Sequence, residues 1–312
     1  MKISVILCTF NRCQPLEAVL NSLSASILPA SVDWEVLVVD NNSTDRTRDV
    51  VAEISGKFPG RFRYLFEARP GKSFALNTGT RNAHGDVFAF VDDDVTVDTT
   101  WLQNLTAVLH DEKWAGTGGR TLPAHDYVSP PWMSLDMAGA LYAHFDLGDA
   151  PRTLDRPPYG ANMAFRKTIF EKYGGFRTDM GPSPDREIPR PNEDTEFGRR
   201  LMAAGERLRY EPSAVVRHPV PLERLNKEYF LTWWFDYGRA MKREIGARRD
   251  VYWGIPRRYF SMLKYGLLPI PMNAVRWLFT FNPQRRFCRK CWLWMRAGEF
   301  AELYRIRSVS TE

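Results

Sequence analysis

The run Val87-Phe88-Ala89-Phe90-Val91 is apolar without interruption and is followed at once by Asp92-Asp93-Asp94. Short, β-branched and aromatic, it reads together with Asp86 as a strand buried on both faces. Three carboxylates at the end of such a strand repel one another. In a half-buried site they cannot all ionise without a counter-charge. Clustered hard oxygen ligands suit Mg²⁺ or Mn²⁺ shared with substrate phosphates, while an acidic loop or a helix N-cap is the other reading of the same residues.

The preceding sequence alternates apolar strands with polar-capped helices, the signature of a mainly parallel sheet flanked by helices. Ile3–Cys8 is expected as strand one, Trp34–Val39 as strand two and Arg63–Glu67 as strand three. Between them Gln14–Ser24 carries Leu16, Val19, Leu20 and Leu23 at helical spacing, and a second helix is expected over about Thr47–Lys57. Ser73–Asn82 reads as a helix leading into the fourth strand. Ligands of open α/β sheets bind beyond the carboxyl ends of the strands, and both Asp40 and Asp92–Asp94 stand at such ends. Downstream, residues 178–192 form a loop rich in Pro, Gly and charge. It gives way to Asn192-Glu193-Asp194, a helix start with Asn192 as cap and acids in the first turn.

Charge is unevenly placed. Residues 239–312 carry 16 Lys/Arg against 5 Asp/Glu, a net +11, whereas residues 1–238 are net −5. An acidic body with a basic tail points to an anionic partner for the tail. No nucleic-acid motif accompanies it, so a membrane surface is favoured. Four cysteines do not make a disulfide framework, and Cys288-x-x-Cys291 lacks the second pair of a zinc site, so it reads as a helix face. The apolar start Ile3–Cys8 is too short for a signal peptide, and the chain is expected in the cytoplasm, peripheral on the inner face of the membrane.

Five stretches, in order, resemble the motifs of the family 2 glycosyltransferases: Thr9-Phe10-Asn11-Arg12, Val39-Asp40 through Asp45, Asp92-Asp93-Asp94, Gly160-Ala161-Asn162 with Gly174-Gly175-Phe176, and Glu193-Asp194. The resemblance covers roughly residues 2–220 and implies an α/β fold of the GT-A type, a Rossmann-like mixed sheet, with a helical, basic-aromatic C-terminal extension. It implies a catalytic domain over 1–225, with a nucleotide-sugar half (1–100) and an acceptor half (101–225), and an extension over 226–312. The implied reaction is inverting transfer of one sugar from a nucleotide-diphosphate sugar, UDP-sugars first, to a hydroxyl of a lipid-linked or polysaccharide acceptor.

The same resemblance gives residues their roles. Thr9, Asn11, Arg12 and Asp40 would hold the nucleoside, Asp92 the ribose, and Asp94 the divalent cation, Mn²⁺ or Mg²⁺; Asp93 serves either role or neither. Lys72, at a helix start, is a phosphate or base contact or an exposed lysine. His218 is a further metal ligand or a structural histidine. Gly160, Asn162 and Trp132 are assigned to the acceptor and sugar region. Asp194 is the expected base, with Glu193 orienting it or touching the acceptor; no enzyme nucleophile is required. The Gln-x-x-Arg-Trp motif of processive synthases is missing from the stretch around Trp233-Trp234, which favours single-sugar addition.

Two other functional classes are consistent with parts of the chain. A nucleotidyltransferase would want a Gly-rich phosphate loop near strand one, which Leu7–Arg12 does not offer. A non-catalytic membrane binder leaves the acids unexplained. In the tail, Phe287, Cys288, Cys291, Trp292 and Met295 fall on one helical face flanked by Arg285, Arg286, Arg289 and Lys290. That is the pattern of a helix in an anionic membrane interface through 255–312; cover for the catalytic domain or a homodimer contact is the alternative. Tyr259–Phe281 is long enough to span a bilayer but is interrupted by Lys264, Pro269, Pro271, Asn273 and Arg276.

Overall fold

The computed structural model describes residues 1–134, 137–184, 192–245, 251–252 and 255–305. The chain divides into two compact units: residues 1–126, 142–184 and 193–220 form one, and 127–141, Asn192 and 221 onward form the other.

The first unit is built on one mixed sheet. Its first half runs β1 (Lys2–Thr9), α1 (Cys13–Ser24), β2 (Asp33–Asp40), α2 (Thr47–Lys57), β3 (Phe62–Phe66), α3 (Lys72–Asn82), β4 (Val87–Val91) and β5 (Thr96–Val97). Then come α4 (Trp101–Ala107), β6 (Gly116–Pro123), the short α5 (Gly139–Tyr142), β7 (Arg152–Thr153), β8 (Met163–Arg166), α6 (Lys167–Tyr173), α7 (Glu193–Ala203) and β9 (Leu208–His218). Sheet order is β3-β2-β1-β4-β8-β6-β9-β5, with β7 beside β9. The first four strands are parallel, and β8 runs antiparallel between β4 and β6. The expected strands and helices are present, with ends shifted by one residue or not at all.

Period-two alternation explains the core. Ile3, Val5 and Leu7 of β1 join a cluster with Leu16, Val51 and Trp101 on one face of the sheet. Ile6 and Cys8 join Ala75, Phe165 and Phe197 on the other. A strand buried on both faces can afford no polar alternation, and β4 is buried at every position. The apolar run ends where the sheet's cover ends, so Asp92–Asp94 emerge at the carboxyl edge beside Thr9 and Asp40, whose strands are in register with it.

The second unit is helical: α8 (Lys227–Ile245), a small ribbon of β10 (Val251–Tyr252) and β11 (Ile255–Pro256), then α9 (Arg257–Leu267), α10 (Pro269–Leu278) and α11 (Pro283–Arg305). α8 and α11 approach closely because Gly238 faces the Met295 backbone and Gly298 faces the Phe235 backbone, where a Cβ would collide. Glu302, fully buried, accepts from Arg239 Nε at 3.0 Å and Arg243 Nε at 2.6 Å. Among the described residues no helix is long and apolar enough to cross a membrane.

One expectation for the tail is corrected. The α11 face read as membrane-facing is interior at its centre: Phe287 and Cys291 are buried, while Trp292 at its margin is 48% exposed. Phe287 meets Trp132 edge-on at 4.7 Å, and Trp132 in turn meets Phe230 at 5.3 Å. An amphipathic face reports only that something apolar covers it, and here Trp132 and Phe230 of α8 do. Trp132 is therefore an aromatic packing residue of the second unit.

Candidate active site

The loops after β1 and β2 are stitched together. Asn11 Oδ1 accepts the Thr44 N–H at 2.7 Å, Asn11 N–H donates to Ser43 Oγ at 2.9 Å, and Cys13 N–H donates to Asp45 at 2.9 Å. Asn11 takes a positive φ of 52°, a conformation asparagine tolerates better than most residues. The turn it makes aims Arg12 across the strand ends. There the guanidinium forks, reaching Asp93 Oδ1 at 3.1 Å and Asp94 Oδ2 at 2.8 Å. Thr9 is buried beneath, its carbonyl accepting the Asn41 N–H at 2.9 Å.

Asp40 is held on both oxygens, by the Ser43 N–H at 2.8 Å and the Tyr64 hydroxyl at 2.8 Å. Burial and the Asp40 charge push the Tyr64 phenol up to about 12, so it remains a donor. Asp40, Ser43, Thr44, Asp45, Arg48 and Tyr64 line an open cleft of about 630 Å³.

Asn41, which sequence reasoning passed over, positions Lys72. Its amide donates to the carbonyls of Glu67 and Arg69, at 3.1 and 2.7 Å, and its Oδ1 accepts the Gly71 N–H at 2.7 Å. The chain is thereby turned into α3 with Lys72 pointing at the acids. Lys72 Nζ donates to Asp92 Oδ1 at 2.6 Å and lies 3.5 Å from Glu193 Oε1. Lys72 is thus a mostly buried cation bridging the end of β4 and the start of α7. Burial alone would drive it neutral, but Asp92, Glu193 and Asp194 outweigh that and hold the ammonium above its ordinary range. For Asp92 burial likewise favours the acid form, yet Lys72 prevails and keeps the carboxyl below its usual range. Asp93 goes the other way: burial lifts it to about 6 despite Arg12. Glu193 is lifted to about 7 by burial and by Asp194, with Lys72 opposing.

His218 ends β9 and is buried against the same acids. Its Nδ1 donates to the Pro219 carbonyl at 2.7 Å, which fixes the ring. Nε2 is left facing Asp94 Oδ1 at 3.5 Å. Ligand atoms of Asp92, Asp94 and His218 fall within 4.8 Å of one another. Two hard carboxylates, with an imidazole fixed by a backbone carbonyl, are a donor set suited to a divalent cation.

Asp194, in the first turn of α7, accepts the Gly160 N–H on Oδ2 at 2.5 Å and the Thr195 N–H on Oδ1 at 2.6 Å. A Cβ on Gly160 would stand 3.1 Å from that Oδ2, so a side chain there would crowd the contact. Asn162 occupies a different place. Its amide is fully engaged in the core, accepting from Trp101 Nε1 at 2.9 Å and donating to the carbonyls of Arg120 and Ala214. It ties α4 to β6 and β9. Of the residues expected at the site, Arg12, Lys72, Asp92, Asp93, Asp94, Glu193, Asp194 and His218 converge, with Gly160 touching Asp194. Thr9, Asn11 and Asp40 shape the neighbouring loops, and Asn162 is internal. Of the loop 178–192, residues 185–191 lie outside the described residues.

Comparison with known proteins agrees with this architecture. The family model "Glycosyl transferase family 2" matches residues 4–174. The succinoglycan biosynthesis protein ExoM of Rhizobium meliloti is 26% identical over 249 residues, 80% of this chain and 76% of that protein. A glucosyl-dolichyl phosphate glucuronosyltransferase of Haloferax volcanii is 26% identical over 250 residues, 77% of each chain. Among solved structures, the mannosyltransferase PcManGT of Pyrobaculum calidifontis, in complex with GDP-Man and Mn²⁺, superposes with a TM-score of 0.63 at 20% identity, covering 96% of this chain and 86% of that one. More than half the sequence matches one family, and the mixed sheet matches a glycosyltransferase fold. The nucleotidyltransferase and non-catalytic readings therefore fall away: the chain belongs to glycosyl transferase family 2 and is a glycosyltransferase of the GT-A fold.

Proposed function

We propose that this protein transfers a single sugar, with inversion, from a nucleotide-diphosphate sugar to a hydroxyl of a lipid-linked or polysaccharide acceptor. The observation that carries the proposal is a charge imbalance. Among the described residues, Asp92, Asp93, Asp94, Glu193 and Asp194 meet two cationic side chains, Arg12 and Lys72, with His218 presenting Nε2. That excess of carboxylate fits a divalent cation, Mn²⁺ or Mg²⁺, held by Asp92, Asp94 and His218, which when bound would offset charge on the departing diphosphate.

The remaining steps fall to the chain's own groups. The cleft beside Asp40, Arg48 and Tyr64 receives the nucleoside, with Asp92 toward the ribose. Arg12 and Lys72 offer donors to phosphate oxygens. Asp194 takes the proton of the acceptor hydroxyl as its oxygen bonds to the anomeric carbon and the bond from that carbon to the diphosphate oxygen breaks. Two backbone N–H groups fix the Asp194 carboxylate, so it meets the hydroxyl preoriented. Glu193, raised to about 7, is neutral or anionic near neutral pH and steadies Lys72.

Relatives named for succinoglycan biosynthesis and for a dolichyl-phosphate acceptor support an acceptor that is polymeric or lipid-linked and, with it, an enzyme working at the cytoplasmic face of a membrane. A panel of UDP-, GDP- and dTDP-sugars, scored for donor hydrolysis and thermal stabilisation with Mn²⁺ and with Mg²⁺, tests the proposal. Metal-dependent turnover of one donor is expected, and no response to any donor would overturn it.

A further inference from the structure

α9 and α10 each leave an apolar stripe uncovered. Leu263 and Leu267 on α9 are a turn apart; Leu268, Met272, Val275 and Phe279 follow at intervals of four, three and four along α10 and its end. These six side chains are exposed by between 47% at Met272 and 72% at Phe279. The stripes meet at the corner Leu267–Leu268, where Pro269 opens the second helix. Contiguous exposed apolar surface of this kind marks an interaction site.

The charge pattern identifies what covers it. Residues 251–298 contain nine Lys/Arg and not one Asp or Glu. Lys264 stands one residue after Leu263 and three before Leu267; Arg276 stands in the same relation to Val275 and Phe279. At 100° per residue each cation borders its stripe, where its stem can lie along the apolar surface with the charge at the edge. A second copy of this chain would bring Lys264 and Arg276 against cations of the same patch with no acid between them, since a two-fold interface sets a patch against itself. Helices of 11 and 10 residues are far too short to span a bilayer, but suited to lie in its interface.

We infer that the exposed faces of α9 and α10 are a docking surface for a bilayer bearing anionic phospholipid, with the leucine, methionine, valine and phenylalanine side chains in the acyl boundary and Lys264 and Arg276 among the phosphates. The inference locates the membrane contact on α9–α10 and removes it from the buried face of α11. It rests on the proposed function only for what the surface delivers, an acceptor embedded in lipid.

The test is flotation of the full chain with phosphatidylcholine vesicles and with phosphatidylcholine/phosphatidylglycerol vesicles. Binding to the anionic vesicles that weakens with salt is expected. The double variant Leu263→Glu/Val275→Glu should lose it, and Lys264→Gln and Arg276→Gln should each weaken it about fivefold. Donor hydrolysis without vesicles should be unchanged in all of them, which also shows that they fold. Failure of the wild type to float, or flotation of the double variant like the wild type, overturns the inference. So does a wild-type dimer in lipid-free solution that the double variant dissociates, because the face then belongs to a second copy. Flotation that the variants abolish, in a chain that turns over no nucleotide sugar, leaves the docking surface standing and removes the proposed function.

Discussion

Both units bury carboxylates beside arginines, and the two clusters are built to opposite ends. In the second unit Glu302 meets Arg239 and Arg243, and Arg239 also meets Asp236 at 3.1 Å. Among the described residues, two acids face two cations in a packed helix–helix contact. At the carboxyl edge of the sheet five acids face, among the described residues, Arg12 and Lys72, and the acids come from two separated elements, the end of β4 and the start of α7. A balanced buried network is complete in itself and holds helices together. An unbalanced one favours protons or a further cation, and burial lifts Asp93 to about 6 and Glu193 to about 7, the direction in which protons take up part of that role. Imbalance, rather than burial, is what separates the site from structural ion pairs.

The contrast breaks first at Asp94. Asp94→Ala removes one ligand and frees a half of the Arg12 fork, so metal-stimulated transfer should fall below detection and Mn²⁺ should no longer raise the melting temperature. Retained metal-dependent turnover would take Asp94 out of the cation site. Asp194→Asn keeps the shape of the carboxylate without its basicity. Transfer should drop by about 10²- to 10⁴-fold, the range for loss of a general base, while donor-induced thermal stabilisation stays as in the wild type. Near-normal transfer would assign the proton to another group.

On the balanced side, Glu302→Ala leaves the buried Arg239 and the partly buried Arg243 without their shared partner. Chemical denaturation should show a loss of about 3–5 kcal/mol, with no change in the Mn²⁺-induced shift of whatever remains folded. A loss below about 1 kcal/mol would mean that Glu302 is not the keystone its burial suggests.

How much of this was legible beforehand depends on the range of the interaction. The parallel sheet is written locally, in unbroken apolar runs such as Val87–Val91, and those strands formed where expected. The acids at strand ends were visible because topology places strand ends together. Three things required the folded chain. Asn41 looks like any turn asparagine until its amide is seen to latch residues 67–71 from 26 to 30 positions away. Asn162 looked like an acceptor contact by its motif, yet Trp101, Arg120 and Ala214 use its whole amide. And the amphipathic face of α11 could not declare whether lipid or Trp132 and Phe230 would cover it, because the pattern is the same for both.

The smallest effect tests the imbalance directly, through Glu193. Its carboxyl, near 4.5 in the unfolded chain, is lifted to about 7 in the fold by burial and by Asp194 against the pull of Lys72. Between those values the folded protein binds a proton that the unfolded chain has released. Stability contributed by this group is therefore complete below about 4.5 and declines as pH rises through about 7, with a slope of at most one proton, ~1.4 kcal/mol per pH unit. Glu193→Gln removes the titration, so its metal-free stability should lose that fall between about pH 5 and 7, read as the change in denaturation midpoint across the series. Saturating Mn²⁺ should flatten the wild-type profile toward that of the variant, because a bound cation compensates the same excess of charge. If metal-free wild type and variant decline in parallel, Glu193 is already fully compensated by Lys72, and the site is as balanced as the one around Glu302.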